Sequence, residues 1–134
     1  MKLLLFDIDL TLITTAGAGR AAMTRAFQRL FGASEGLDGV SFAGRTDVAI
    51  FKDALRTLEL PWSKQREDDF KRLYFANLSE ELAKPNSRKH VKPGVSELLQ
   101  TLENRPDVVL GLLTGNWRRG AELKLRHFHL WHYF

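Results

Sequence analysis

Two aspartates stand one residue apart at the end of an apolar run, in the segment Lys2–Leu12, KLLLFDIDLTL. Along an extended chain residues i and i+2 point to the same side, so Asp7 and Asp9 converge. Neighbouring carboxylates repel, and desolvating both is costly unless a cation lies between them. Oxygen donors of this kind suit a hard divalent ion such as Mg²⁺, with Asp7 and Asp9 as its candidate ligands. One carboxylate of such a pair can attack an electrophile covalently while the other moves a proton. A second chemically apt stretch is Thr114–Asn116, closing the run LLTGN. A hydroxyl followed by backbone N–H groups where a helix opens is a ready anion site. The plainer reading is a strand-to-helix turn with Thr114 or Asn116 as cap.

Strands must carry both stretches. The run before Asp7 reads as a buried strand whose carboxyl end presents the aspartates, where open α/β sheets place ligands. Asp107–Thr114, DVVLGLLT, reads as the second buried strand. Between them the periodicity is helical. Met23, Phe27, Leu30 and Phe31 form one apolar stripe, ended by Gly32. Val48, Phe51, Ala54, Leu55 and Leu58 form another, with Thr46 or Asp47 as cap. A third helix begins near Ser63, buries Phe70, Leu73, Tyr74, Leu78 and Leu82, and is broken by Pro85. Residues 32–46 are glycine-rich and irregular. After Pro93, Val95, Leu98, Leu99 and Leu102 form a further stripe, and Ala121, Leu125 and Phe128 mark the last helix.

The two strands lie about a hundred residues apart, whereas a simple βαβ crossover takes ~30. A structureless loop of that length is implausible. The chain therefore divides into residues 1–14 with 88–134, carrying the strands, and an inserted helical unit over 15–87.

The pattern D-x-D-x-T-L after an N-terminal apolar strand closely resembles motif I of the haloacid dehalogenase-like superfamily, whose members are mostly phosphatases. Leu10 stands where that family most often has Gly. LLTGN looks like motif II, and Pro93-Gly94-Val95 like the usual re-entry into the core. Phosphoglycolate phosphatase and β-phosphoglucomutase relatives are the most similar in layout. The resemblance implies an α/β fold: a Rossmann-like parallel-sheet core, incomplete here, with an inserted α-helical cap. It implies a Mg²⁺-dependent phosphomonoesterase acting on a small phosphorylated metabolite. By the same resemblance Asp7 is the nucleophile, Asp9 the acid and base, and Thr114 a holder of a phosphate oxygen. Gly115 and Asn116 shape that pocket. Arg45, in the cap loop AGRTD, is a candidate contact for a second anionic group of the substrate. A phosphomutase, or a noncatalytic fragment whose helices form an interaction module, are the alternatives.

The family pattern continues with a lysine and further acidic ligands, but the sequence has no Asp or Glu after Glu122. Lys124, on the polar side of the last helix, reads as a surface residue. The chain is expected to be a truncated portion of a longer protein, with exposed sheet edges that favour self-association. Hydrophobic residues at 44% and charged residues at 27% of 134 residues suit one soluble globular unit. Without cysteine, disulfides and thiolate metal sites are excluded. The aspartates interrupt the leading apolar run too early for a signal peptide, and no membrane span is foreseen, so a cytoplasmic location is the default. The net charge of +4 suits an anionic substrate. Scattered basic residues, and tryptophans in no stacking arrangement, give no case for nucleic acid. His127, His129 and His132 read as packing rather than as metal ligands.

Overall fold

The computed structural model describes residues 1–33 and 35–134; Ser34, within the glycine-rich stretch 32–46, lies outside the described residues. Strand β1 (Lys2–Phe6) pairs in parallel with β4 (Val108–Leu112), Leu4 beside Leu110 and Phe6 beside Leu112. Alternation then sorts the two faces. Phe6, Leu110 and Leu112 pack against a core of Ile8, Leu12, Ile13, Leu99 and Leu125. That core draws on helices α4 (Val95–Glu103) and α5 (Arg118–His127). Leu3, Leu5 and Val109 point the other way and are exposed. Both strands are thus half-buried, which corrects the expectation of fully buried ones: among the described residues, helices cover one face only. Leu98 also departs from its expected stripe. On nine-residue α4 only Val95 and Leu99 are buried, while Leu98 is exposed.

Three helices intervene between the paired strands: α1 (Ala18–Phe31), α2 (Asp47–Thr57) and α3 (Lys64–Ala83). Their ends follow local chemistry. Gly32 closes α1 in the left-handed region at φ 67°. Thr46 Oγ1 accepts from the Ala49 N–H at 3.2 Å, and Ser63 Oγ from the Arg66 N–H at 3.1 Å. Their apolar stripes meet in a second core containing Met23, Phe27, Phe51, Leu55, Phe70, Tyr74 and Leu78. Phe51 stacks on Phe70 with ring centroids 4.6 Å apart, and Phe27 meets Phe70 edge-on at 5.5 Å. The fold is therefore α/β, a small parallel sheet backed by helices with a helical layer inserted between its strands.

A short antiparallel ribbon marks the passage between the two cores. Strand β2 (Ile13–Thr14) pairs with β3 (His90–Val91), Ile13 beside Val91. The Lys92 N–H adds a bond to the Leu12 carbonyl at 2.8 Å. The chain leaves for the helical layer and returns from it through this one place.

Between β1 and β2 the chain folds back tightly, the Leu12 N–H donating to the Ile8 carbonyl at 2.9 Å and the Leu10 N–H to the Ile13 carbonyl at 2.8 Å. The reversal puts Leu10 at φ 64°, with its side chain in solvent. A left-handed conformation costs an L-residue roughly 1–2 kcal/mol, a cost that glycine does not carry. Leu10→Gly should therefore leave the protein as stable or stabilise it by up to about 1 kcal/mol, the relief of strain outweighing glycine's entropy. Urea titration measures this. A loss above about 1 kcal/mol, as for Gly at an ordinary position, would contradict it.

Candidate active site

Alternation at the end of β1 buries Ile8 fully in the core and turns Asp7 and Asp9 the other way, into a cleft of about 770 Å³. The parallel neighbour β4 ends beside them, tied by the Leu113 N–H donating to the Phe6 carbonyl at 2.8 Å. Thr114, Gly115 and Asn116 line the same cleft. Within it, Asn116 uses every polar atom of its side chain. Its Nδ2 donates to Asp9 Oδ2 at 2.8 Å and to Thr114 Oγ1 at 2.7 Å. Its Oδ1 accepts from Lys124 Nζ at 2.7 Å. Thr114 Oγ1 also accepts from the Asn116 backbone N–H at 3.1 Å, so its own proton remains to be donated.

Lys124 is not a surface residue, contrary to the sequence reading. Its side chain is only 6% exposed, and Nζ lies 3.0 Å from each carboxylate oxygen of Asp9. The last helix turns this polar position inward together with Gly120 and Ala121, on a side where α5 packs against α3. Gly19, in the first turn of α1, lies beside it: a Cβ there would make an ordinary van der Waals contact, 3.5 Å from Lys124 Nζ. A buried ammonium needs partners, and Asp9 and Asn116 supply all three.

The helical layer closes over the other side of the cleft. Arg45, the candidate substrate contact, lines it, with its guanidinium paired to Asp53 at 2.5 Å. The backbones meet more closely still. A Cβ on Gly115 would come within 2.5 Å of the Arg45 carbonyl oxygen, so only glycine fits that approach. Asp47, foreseen only as a possible helix cap, donates its N–H to the Gly115 carbonyl at 2.8 Å. Its Oδ2 accepts from the Trp117 N–H at 2.9 Å. Asp47 is 7% exposed, and burial pushes its carboxyl up to about 6. The Trp117 N–H and the Lys124 charge hold it back, while Asp9 adds to the rise. Trp117 itself packs among Phe70, Tyr74 and Phe75 of α3. The Tyr74 hydroxyl is buried and finds no partner among the described residues; burial, with lesser help from Asp47 and Asp9, raises it well above the ordinary tyrosine value. No group of three or more His, Cys, Asp or Glu side chains that could hold a metal occurs among the described residues, His127, His129 and His132 included. No described helix is long and apolar enough to cross a membrane.

The model of haloacid dehalogenase-like hydrolases matches residues 4–134, nearly the whole chain. The chain belongs to that family. Among solved structures, it is similar to a predicted phosphoglycolate phosphatase from Haemophilus somnus 129pt, with a TM-score of 0.66 and 19% identity. The superposition covers 99% of this chain and 60% of that one, so the chain spans less than two thirds of that protein's length. At that identity the likeness is one of fold. No curated protein matches the sequence. For this haloacid dehalogenase-like hydrolase the fold class expected from the sequence therefore holds.

Asp47 gives a stability prediction with a definite sign. Its carboxyl rises from 3.8 to about 6 on folding, so at pH 4–6 the folded state holds a proton that the unfolded chain has shed. Stability from this group is full below pH 4 and is lost as the pH rises through about 6. Asp47→Asn cannot ionise and keeps an acceptor for the Trp117 N–H. Relative to wild type it should gain on the order of 3 kcal/mol between pH 4 and pH 7. Denaturant titrations of both proteins across that range test this; a difference that does not change with pH would contradict it.

Proposed function

We propose that the protein is a phosphatase of the haloacid dehalogenase-like type, hydrolysing a small phosphorylated metabolite through an aspartyl-phosphate on Asp7. One observation carries the reading: the Asp9 carboxylate, gripped by Lys124 and Asn116, shares a cleft with Asp7 and with the donor hydroxyl of Thr114. The phosphoglycolate phosphatase named above shares the fold, which agrees with the reading. On this reading residues 15–87 are the cap and residues 1–14 with 88–134 the catalytic core.

The residues divide the work. An Asp7 oxygen attacks phosphorus in line, and the ester oxygen departs with a proton from Asp9. Water then attacks the aspartyl-phosphate, Asp9 taking its proton, and inorganic phosphate leaves with Asp7 restored. Thr114 donates its hydroxyl proton to a phosphoryl oxygen, and the N–H groups at the start of α5 favour negative charge beside it. Lys124 has all three protons on Asp9 and Asn116. An entering phosphoryl group competes for that ammonium, which releases Asp9 for proton transfer and sets a positive charge beside the developing negative one.

The oxygen donors here fit Mg²⁺. The Asp7 carboxylate makes no ion pair among the described residues, whereas that of Asp9 is taken by Lys124 and Asn116. Asp7 would thus bind through its carboxylate and Asp9 through its backbone carbonyl. When bound, the ion screens the phosphoryl charge as a Lewis acid. Closure of the helical layer over the cleft excludes water from the first step and selects the alcohol part of the substrate, with Arg45 facing any second anionic group.

Initial rates on p-nitrophenyl phosphate test this reading. Turnover should require Mg²⁺, stop with EDTA and disappear in Asp7→Asn. Lys124→Met should lower kcat by about 10²–10³-fold. Turnover that survives Asp7→Asn would contradict the aspartyl-phosphate route.

A further inference from the structure

The described mechanism leaves one buried acid unused. Asp47 belongs to the helical layer, yet both of its hydrogen bonds reach the turn that follows β4. Its N–H holds the Gly115 carbonyl at 2.8 Å and its carboxylate caps the Trp117 N–H at 2.9 Å. Trp117 begins α5 without a side-chain cap from its own segment. Asp47 also opens α2, so two helix N-termini meet at one carboxylate, which offsets part of its desolvation. The backbone contact is equally specific. Gly115 lies so near Arg45 and Thr46 that no other residue fits while the bonds stand.

Between these two clamped residues sits Asn116, whose side chain bridges Asp9, Thr114 and Lys124. A turn held at Gly115 and at Trp117 has little freedom left at Asn116. We propose that Asp47 is a positioning residue: from the helical layer it fixes the 115–117 turn, and so holds Asn116 and through it Asp9 in the reactive arrangement. The catalytic carboxylate is then in register only while the helical layer is docked, which links substrate enclosure to assembly of the centre. This rests on the phosphatase reading for its consequence in turnover, but not for the clamp itself.

Two variants and two readouts test it. Asp47→Ala removes the acceptor, and Asp47→Asn keeps one. In ¹⁵N-labelled protein, hydrogen exchange at the Trp117 backbone amide should speed up at least about tenfold in Asp47→Ala. The Asn116 side-chain amide should lose its distinct shift, while both signals persist in Asp47→Asn. With p-nitrophenyl phosphate, Asp47→Ala should lose about 10–100-fold in kcat with KM changed less than about threefold, and Asp47→Asn should stay within about threefold of wild type. A merely structural role would move the two variants together with their melting temperatures and would not separate kcat from KM. Unchanged exchange at Trp117 and Asn116 in Asp47→Ala overturns the proposal, as does a loosened turn with kcat intact. A wild-type chain that turns over no phosphate ester instead sinks the phosphatase reading, and the exchange measurement still decides the clamp.

Discussion

An ammonium group can sit inside a protein only where its protons find acceptors, and Lys124 finds its acceptors on Asp9 and Asn116. That contact joins three separate pieces of chain: the loop after β1, the turn after β4 and the middle of α5. Each piece has a reason of its own to be near, whether a parallel strand register or an apolar stripe. The charge makes the meeting exact to within a hydrogen bond. Removing the ammonium would strip the Asp9 carboxylate of its cation in a cleft that it shares with a second carboxylate, Asp7.

Beside that contact one backbone approach depends on glycine, where bulk would forbid it. Gly115 lets the backbone of residues 45–46 come down on the turn. Near that approach the aromatic packing is dense, with Trp117 lodged among Phe70, Tyr74 and Phe75. The helical layer and the strand-bearing part are therefore not merely tethered through the β2–β3 ribbon. They share an interface whose polar centre is Asp47 and whose apolar centre is Trp117.

Much of this was legible in the residues because local rules applied. Period-2 alternation sufficed to place Asp7 and Asp9 on one side of Ile8, and the start signal at Ser63 with the stops at Gly32 and Pro85 bounded the helices. Lys124 was not legible. It falls on the polar side of α5, and helical periodicity says which residues share a face but not what that face meets. Asp47 was visible only as a helix-start residue, since its side-chain partner, Trp117, lies 70 positions away beyond another strand. The β2–β3 ribbon escaped because two-residue strands carry no pattern. The apolar strands read as fully buried because an uninterrupted run is the mark of a two-sided cover, and the cover that exists among the described residues is one-sided.

The central claim is that Asp7 bonds to phosphorus in a pocket framed by Asp9, Lys124 and Thr114. The most direct measurement is mass spectrometry of the protein quenched in acid during turnover of a phosphorylated substrate, after peptic digestion. The account predicts a phosphoryl group on the peptide containing Asp7, absent when Asp7 is replaced by Asn; with p-nitrophenyl phosphate, whose leaving group needs no proton, it is more abundant when Asp9 is replaced, because water attack then lacks its base. Steady turnover with no phosphorylated peptide, or with the label on any other residue, would contradict it.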